Sequence, residues 1–254
     1  METQTSRGAA GVQGECGPPS AALSLADGLR AGLPIAVGYI PIAIAFGLVA
    51  RSAGVPNHVT IFMSLVVFAG ASQFVGVSLM ASGALPWEIA LTTLIINLRH
   101  LLMSASISRR VGPGRLSRFM PAIAFGITDE TFSVASFRRE DRVSPEFLLG
   151  LNLLAFSAWN VGTWAGLFLS AGLPEIIKSG MGIALYAMFI GLLVPALRNS
   201  APLLAVCALA VAVNSLLHWA PFFSGLSQGW GIIISTLTAA AAGSFFFPGG
   251  AGGE

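Results

Sequence analysis

The chain reads as long apolar runs separated by short polar or arginine-bearing stretches, at about residues 29–50, 59–82, 86–107, 119–137, 146–170, 181–198, 201–218 and 229–247. A hydrocarbon core of about 30 Å needs roughly 20 apolar residues per helical span. In lipid, only helices or closed barrels satisfy the backbone. Barrel strands would alternate in segments of about ten residues. These runs do not alternate, so the pattern predicts membrane helices. Two runs are irregular. The run 29–50 carries Gly32, Pro34, Gly38 and Pro41, spaced closely enough to break or kink a helix. The run 119–137 has Pro121, Gly126 and then Asp129 and Glu130 at its middle, which suits no lipid-facing span.

Arginine placement tests the topology. Arg109, Arg110, Arg115 and Arg118 precede the run 119–137, and Arg138, Arg139 and Arg142 follow it. A full crossing would put basic loops on opposite sides, against the positive-inside tendency. A broken or re-entrant segment removes the conflict, with both loops, Arg51 and Arg198 on the cytoplasmic side. The expectation is then an all-α polytopic membrane protein with about seven full crossings plus this broken segment, and with the N-terminus outside. The stretches 33–52 and 120–139 echo each other. Each starts apolar-Pro, has a glycine four or five residues later and ends in arginine. An inverted repeat is one reading of this, since interrupted segments at matching positions mark transporter binding sites; shared composition is the other.

Composition narrows the class. Of 254 residues 55% are hydrophobic, and the 30 glycines bring the apolar share to roughly two thirds, against about 45–50% in soluble domains. Only 9% are charged, against about 25%. So few charges could not cover a soluble core. Together with a net charge of +2, this excludes a cytosolic enzyme, a disordered protein and a nucleic-acid binder. Residues 1–24 and 249–254 are expected to be tails around one transmembrane domain, 25–248. The first of these has no apolar signal-peptide core. Cys16 and Cys207 make no disulfide framework.

No enzyme motif is present. Lys178, the single lysine, follows Ile177, so there is no phosphate-binding loop. His58, His100 and His218 form no His-Glu-x-x-His motif, and no Gly-x-Ser-x-Gly elbow exists. No cofactor or metal is expected. Chemistry rests instead on ionisable groups at membrane depth. Arg99 and His100 lie roughly 18 Å beyond Trp87 along a helix. A charge there faces the protein interior or water, and Asp129 and Glu130 are the natural counter-charges for Arg99. Alternatively Arg99 snorkels to the interface, and His100 is either a proton carrier or a hydrogen-bonded core residue. Gln73, preceded by the small run Ala69-Gly70-Ala71-Ser72, is a candidate substrate contact; Asn152, Asn160 and Asn214 more simply bridge helices. The glycine pairs 28/32, 162/166 and 225/229 read as ordinary helix contacts.

Taken together, GLRAGLPIAVGYIPIAIAFGLVARSAG (28–54), SLVVFAGASQFVGVSLM (64–80), INLRHLLMSASISRRV (96–111) and FGITDETFSV (125–134) resemble the AzlC family, over roughly residues 25–250. The resemblance implies the large subunit of a bacterial branched-chain amino-acid exporter in the inner membrane. Its expected substrates are leucine, isoleucine and valine, and in some members methionine. It also implies a small AzlD-type membrane partner and drive from an ion gradient such as that of protons. Beside that resemblance, the residues suggest their own site. An amino-acid zwitterion needs donors for its carboxylate and acceptors for its ammonium, and broken helices supply both. Pro34, Gly38, Tyr39, Pro41, Gln73 and Gly126 are the expected substrate contacts, with Phe46, Phe125 and Phe132 as apolar lining. Arg99, His100, Asp129 and Glu130 are the expected coupling or ion-pair groups. A membrane-embedded enzyme acting through Arg99, His100 and Asp129, and a pore-forming subunit, stay open as alternatives.

Overall fold

The computed structural model describes residues 23–112, 116–138, 142–169, 200–221 and 225–247, with isolated positions between 170 and 199. Cys16, Lys178, Arg115, Arg139, most of the run 181–198 and the terminal tails through residue 22 and from 248 lie outside the described residues. Among the described residues the helices are α1 (Leu25–Ser52), α2 (Asn57–Val66), α3 (Gly70–Ala81), α4 (Pro86–Ser108), α5 (Met120–Phe125), α6 (Asp129–Ser136), α7 (Pro145–Leu169), α8 (Ala201–Trp219) and α9 (Gln228–Phe246). Four of them, α1, α4, α8 and α9, are long and apolar enough to cross a membrane.

Helix α1 opens with a capping box. Asp27 N donates to Ser24 Oγ at 3.2 Å, and Ser24 N donates to Asp27 Oδ2 at 2.9 Å. The helix then runs unbroken through Pro34 and Pro41, correcting the expected break. The reason lies on its two faces. Pro34, Gly38 and Pro41 share one exposed stripe, while Gly28, Gly32, Ala36, Ala43 and Gly47 face inward. That inward face lies against α7, which runs parallel to it. A Cβ on Gly28 would meet Phe147 O at 2.0 Å; on Gly47, Thr163 O at 2.5 Å; on Gly166, Ile44 O at 2.2 Å. Backbones this close hold the helix together, so it continues past the donors missing at the two prolines. At the far end, Arg51 Nη1 donates to Leu167 O at 2.5 Å. This places a cation at the negative end of α7.

The uninterrupted apolar run 59–82 is not one span, as expected, but a hairpin. It breaks at residues 67–69, where Phe68 takes φ +41°. The legs touch through Gln73 Nε2, which donates to Ser64 Oγ at 3.0 Å. Ser64 Oγ lies 2.9 Å from Thr163 Oγ1, toward the C-terminal end of α7. At the tip, Gly70 faces the Trp159 ring midway along α7. The hairpin therefore enters from the end where α1 finishes and leaves by the same end into α4.

The run 119–137 is a second hairpin, α5 and α6 joined by residues 126–128. Its two ends are tied together: Val143 N donates to Arg110 O at 2.8 Å and Gly112 N to Val143 O at 3.1 Å. The Arg110 guanidinium donates to Ser136 O at 2.8 Å and Arg138 O at 2.9 Å. This end is where α1 and α7 begin, since Ser144 Oγ donates to Leu23 O. The two hairpins thus enter from opposite ends of the bundle. With 59–82 not crossing, Arg51 lies at the end opposite Arg110, and the start of α1 lies at the arginine-rich end. Both placements correct the expected arrangement, and the count of seven crossings loses this segment.

An internal repetition is present, but not in the register expected. The echo matched 33–52, inside continuous α1, with 120–139, which is broken. In the structure a long helix followed by a broken hairpin occurs twice, in α1–α3 and in α4–α6, and the second copy is reversed in direction. The two hairpins begin about sixty residues apart, at Asn57 and at Ser117 in the short turn leading into α5.

Candidate functional site

The tips of the two hairpins meet halfway along α1, α4 and α7. There they enclose a cavity lined by Tyr39, Arg99, His100, Thr128–Glu130, Trp159 and the α3 entry Phe68–Ala71. Its volume is about 30 Å³, against about 10–15 Å³ for one water-sized sphere.

Two polar pairs organise this space. Arg99 Nη1 lies 2.7 Å from Asp129 Oδ2, the two side chains being 37% and 32% exposed. Tyr39 Oη lies 2.5 Å from Glu130 Oε2 and 2.7 Å from Thr128 Oγ1, and its one proton serves one of them at a time. Of the two acids expected to face Arg99, Asp129 takes the arginine and Glu130 takes the tyrosine. Local sequence explains their position. Thr128 caps α6, accepting from Thr131 N while Thr131 Oγ1 accepts from Thr128 N. This puts both acids in the first turn, at the positive end of the helix. Ahead of the cap, a Cβ on Gly126 would meet Asn152 Cβ at 2.6 Å, so only glycine allows that approach. Asn152 Nδ2 in turn donates to Ile123 O at 2.8 Å, satisfying a carbonyl at the end of α5.

The structure therefore brings Tyr39, Arg99, His100, Asp129 and Glu130 together. It does not bring Pro34, Gly38 and Pro41, which lie on the exposed face of α1. Gln73 is buried in the Ser64–Thr163 network between α2, α3 and α7 rather than on the cavity wall. Gly126 and Phe125 line a separate apolar cavity of about 160 Å³, shared with Phe156 and Asn152. Phe68 stands between the two spaces. It lines the polar cavity, and its ring packs on Phe125 and Phe156 at centroid distances of 6.1 and 5.1 Å. Phe46 packs on Phe74 and Trp159 instead, and Phe132 sits partly buried against the core. Asn160 bonds within its own helix, to Phe156 O at 2.9 Å.

Sequence reasoning missed Phe68, Thr128 and Trp159. The small run 69–72 beside Gln73 was a signal for the first hairpin tip, though it pointed to the wrong residue. Nothing in the sequence around Trp159 marks it. The Arg99 Nε and Trp159 Nε1 donors are buried with no partner among the described residues.

Broken helices converging at mid-depth on charged groups, between long apolar helices, define a helical membrane protein. The chain belongs to the AzlC family, whose "AzlC protein" profile matches residues 34–173. It is 32% identical to the "Inner membrane protein YgaZ" of Escherichia coli (strain K12), over 87% of this chain and 92% of that one. It is 35% identical to an "Uncharacterized membrane protein" of Archaeoglobus fulgidus, over 73% and 82% of the two chains. A shorter similarity, 31% identity over 40% of this chain and 39% of the relative, joins it to the "Branched-chain amino acid transport protein AzlC" of Bacillus subtilis (strain 168). No solved structure matches the chain.

Proposed function

We propose that this chain is the large subunit of a secondary exporter of branched-chain amino acids in a bacterial inner membrane. It would work with a small AzlD-type membrane subunit and be driven by the proton gradient. The observation that carries the reading is the meeting of two re-entrant hairpins, from opposite faces, on the Arg99–Asp129 and Tyr39–Glu130 pairs. Opposed broken hairpins are the frame on which alternating access is built.

The charge balance supports proton coupling. Arg99 offsets one of the two carboxylates, Asp129 and Glu130. The second, Glu130, is held by the Tyr39 hydroxyl, and a substrate ammonium or a coupling proton would find its counter-charge there. Competition between those two for one acid is the simplest form of exchange. The substrate class follows the name of the Bacillus relative and the apolar cavity behind Phe68. A single methylene there is worth only about 1–3 kcal/mol, so leucine, isoleucine, valine and methionine would overlap. At about 30 Å³ the polar cavity is too small for a whole amino acid. Loading therefore requires Phe68 or a hairpin tip to move.

The test is export. Cells without their own exporters are loaded with leucine- or isoleucine-containing dipeptides. They express the chain with and without the small subunit, and free amino acid in the medium is followed. Efflux that needs both chains and collapses with an uncoupler supports the proposal. Unchanged efflux, with both chains shown to be in the membrane, overturns it.

A further inference from the structure

The polar cavity and the apolar cavity share two walls. On α7, Asn152 and Phe156 line the apolar cavity and Trp159 the polar one. Spaced four and then three residues apart, they lie on one face of the helix, and Trp159 stands only about 4.5 Å along the axis from Phe156. On the second hairpin, Phe125 and Gly126 line the apolar cavity and Thr128, two residues on, the polar one. Between the cavities stands the Phe68 ring. It lines the polar cavity and packs on Phe125 and Phe156 of the apolar one.

Neither space holds an amino acid by itself. The polar cavity, about 30 Å³, has room for two or three water-sized groups, which is part of a charged head group and no side chain. The apolar cavity measures about 160 Å³. An apolar cavity of about 150 Å³ takes up a benzene, so the isobutyl group of leucine fits here. Phe68 is placed to give way. It lies at the turn, outside α2 and α3, and is the one non-glycine residue with a positive φ among the described residues. Its ring can leave without breaking a turn of helix, and strained backbone of this kind gathers at clamps and switches.

We infer that Phe68 is a partition that the substrate displaces. Its ring swings aside and the two cavities become one. The amino-acid head stays at the Arg99–Asp129 and Tyr39–Glu130 pairs, and the side chain enters the apolar cavity, where Ala122 and Leu149 set the size it accepts. This rests on the amino-acid reading above and adds where the side chain goes and what moves to admit it. The rim residues Phe125 and Leu153 are 44% and 50% exposed, so the apolar cavity also opens on the outer face of the bundle. A lipid acyl chain is the rival occupant there; the walls shared with the polar cavity favour the substrate.

The experiment measures binding of alanine, valine, leucine and phenylalanine to the purified full-length chain in lipid nanodiscs, by calorimetry. Ala122→Leu fills the cavity from an exposed position on α5 and keeps a strong helix former there. It should weaken leucine about tenfold or more relative to alanine, the scale on which a pocket senses a methylene. Leu149→Ala enlarges the cavity and should raise phenylalanine about tenfold relative to leucine. Phe68→Ala leaves a ring-sized space open to both cavities. It should tighten leucine, because no partition has to be displaced first, and favour phenylalanine further. A Phe68 ring that only supports the fold would instead weaken all four alike when removed, which overturns the partition. Ala122→Leu changing all four alike puts something other than the substrate side chain in the cavity, and overturns the assignment while leaving the amino-acid reading intact. Wild-type protein that binds none of the four overturns the amino-acid reading, and the partition with it.

Discussion

Removing Arg99 should destabilise the protein more than removing Asp129, and removing both should cost less than the sum. At the observed 2.7 Å and an effective dielectric near 20, the gross attraction is about 6 kcal/mol. Both side chains are roughly one-third exposed, at 37% and 32%, so water screens the pair and part of the gain is offset by desolvation. The net coupling should therefore fall near 2 kcal/mol. That lies between the roughly 0–1 kcal/mol of exposed pairs and the roughly 3–5 kcal/mol lost when a buried pair is broken. The asymmetry comes from Glu130. Arg99→Gln leaves two adjacent carboxylates with no cation, whereas Asp129→Asn leaves Arg99 close to a remaining carboxylate. The assay is a double-mutant cycle: Arg99→Gln, Asp129→Asn and the double variant, unfolded by sodium dodecyl sulfate in mixed micelles and followed by circular dichroism. Additivity within about 0.5 kcal/mol would show that the contact carries no coupling. Asp129→Asn proving the costlier single change would remove Glu130 from the charge balance.

Two further outcomes test the fold. Single cysteines at Gly112 and Arg142 should react with an impermeant thiol reagent from one face of the membrane, and cysteines at Gly54 and Gly83 should both react from the other; opposite faces for Gly54 and Gly83 would refute the first hairpin. Glycine replacements should split by face. Gly162→Ala puts a Cβ 2.6 Å from Ala43 Cβ and 2.8 Å from Ile40 O and should cost about 1–3 kcal/mol by overpacking. Gly38→Ala meets nothing within 4 Å and should be neutral or stabilise by up to about 1 kcal/mol, both read by thermal denaturation in detergent.

Much was determined by the sequence alone. Apolar content and charge scarcity require a helical membrane protein. A single arginine at mid-depth demands an acid, and Asp129 and Glu130 were the acids at hand. The irregularity of 119–137 was visible in Pro121, Gly126 and those same acids, because each is costly in a lipid-facing helix. Other features were decided only by tertiary packing. Pro34 and Pro41 look like breaks, yet α1 stays continuous, its other face locked backbone-to-backbone onto α7, more than a hundred residues away in sequence. The run 59–82 looks like a span, yet it folds back. Apolar character is the same for a crossing helix and for a hairpin whose tip is buried in protein, and the Tyr39, Phe125 and Phe156 rings pack around Phe68, the left-handed position at which the run turns. Trp159 joins the site for the same reason. Its chemistry depends on standing between two hairpin tips that enter from opposite ends, a relation that exists only once the chain has been packed.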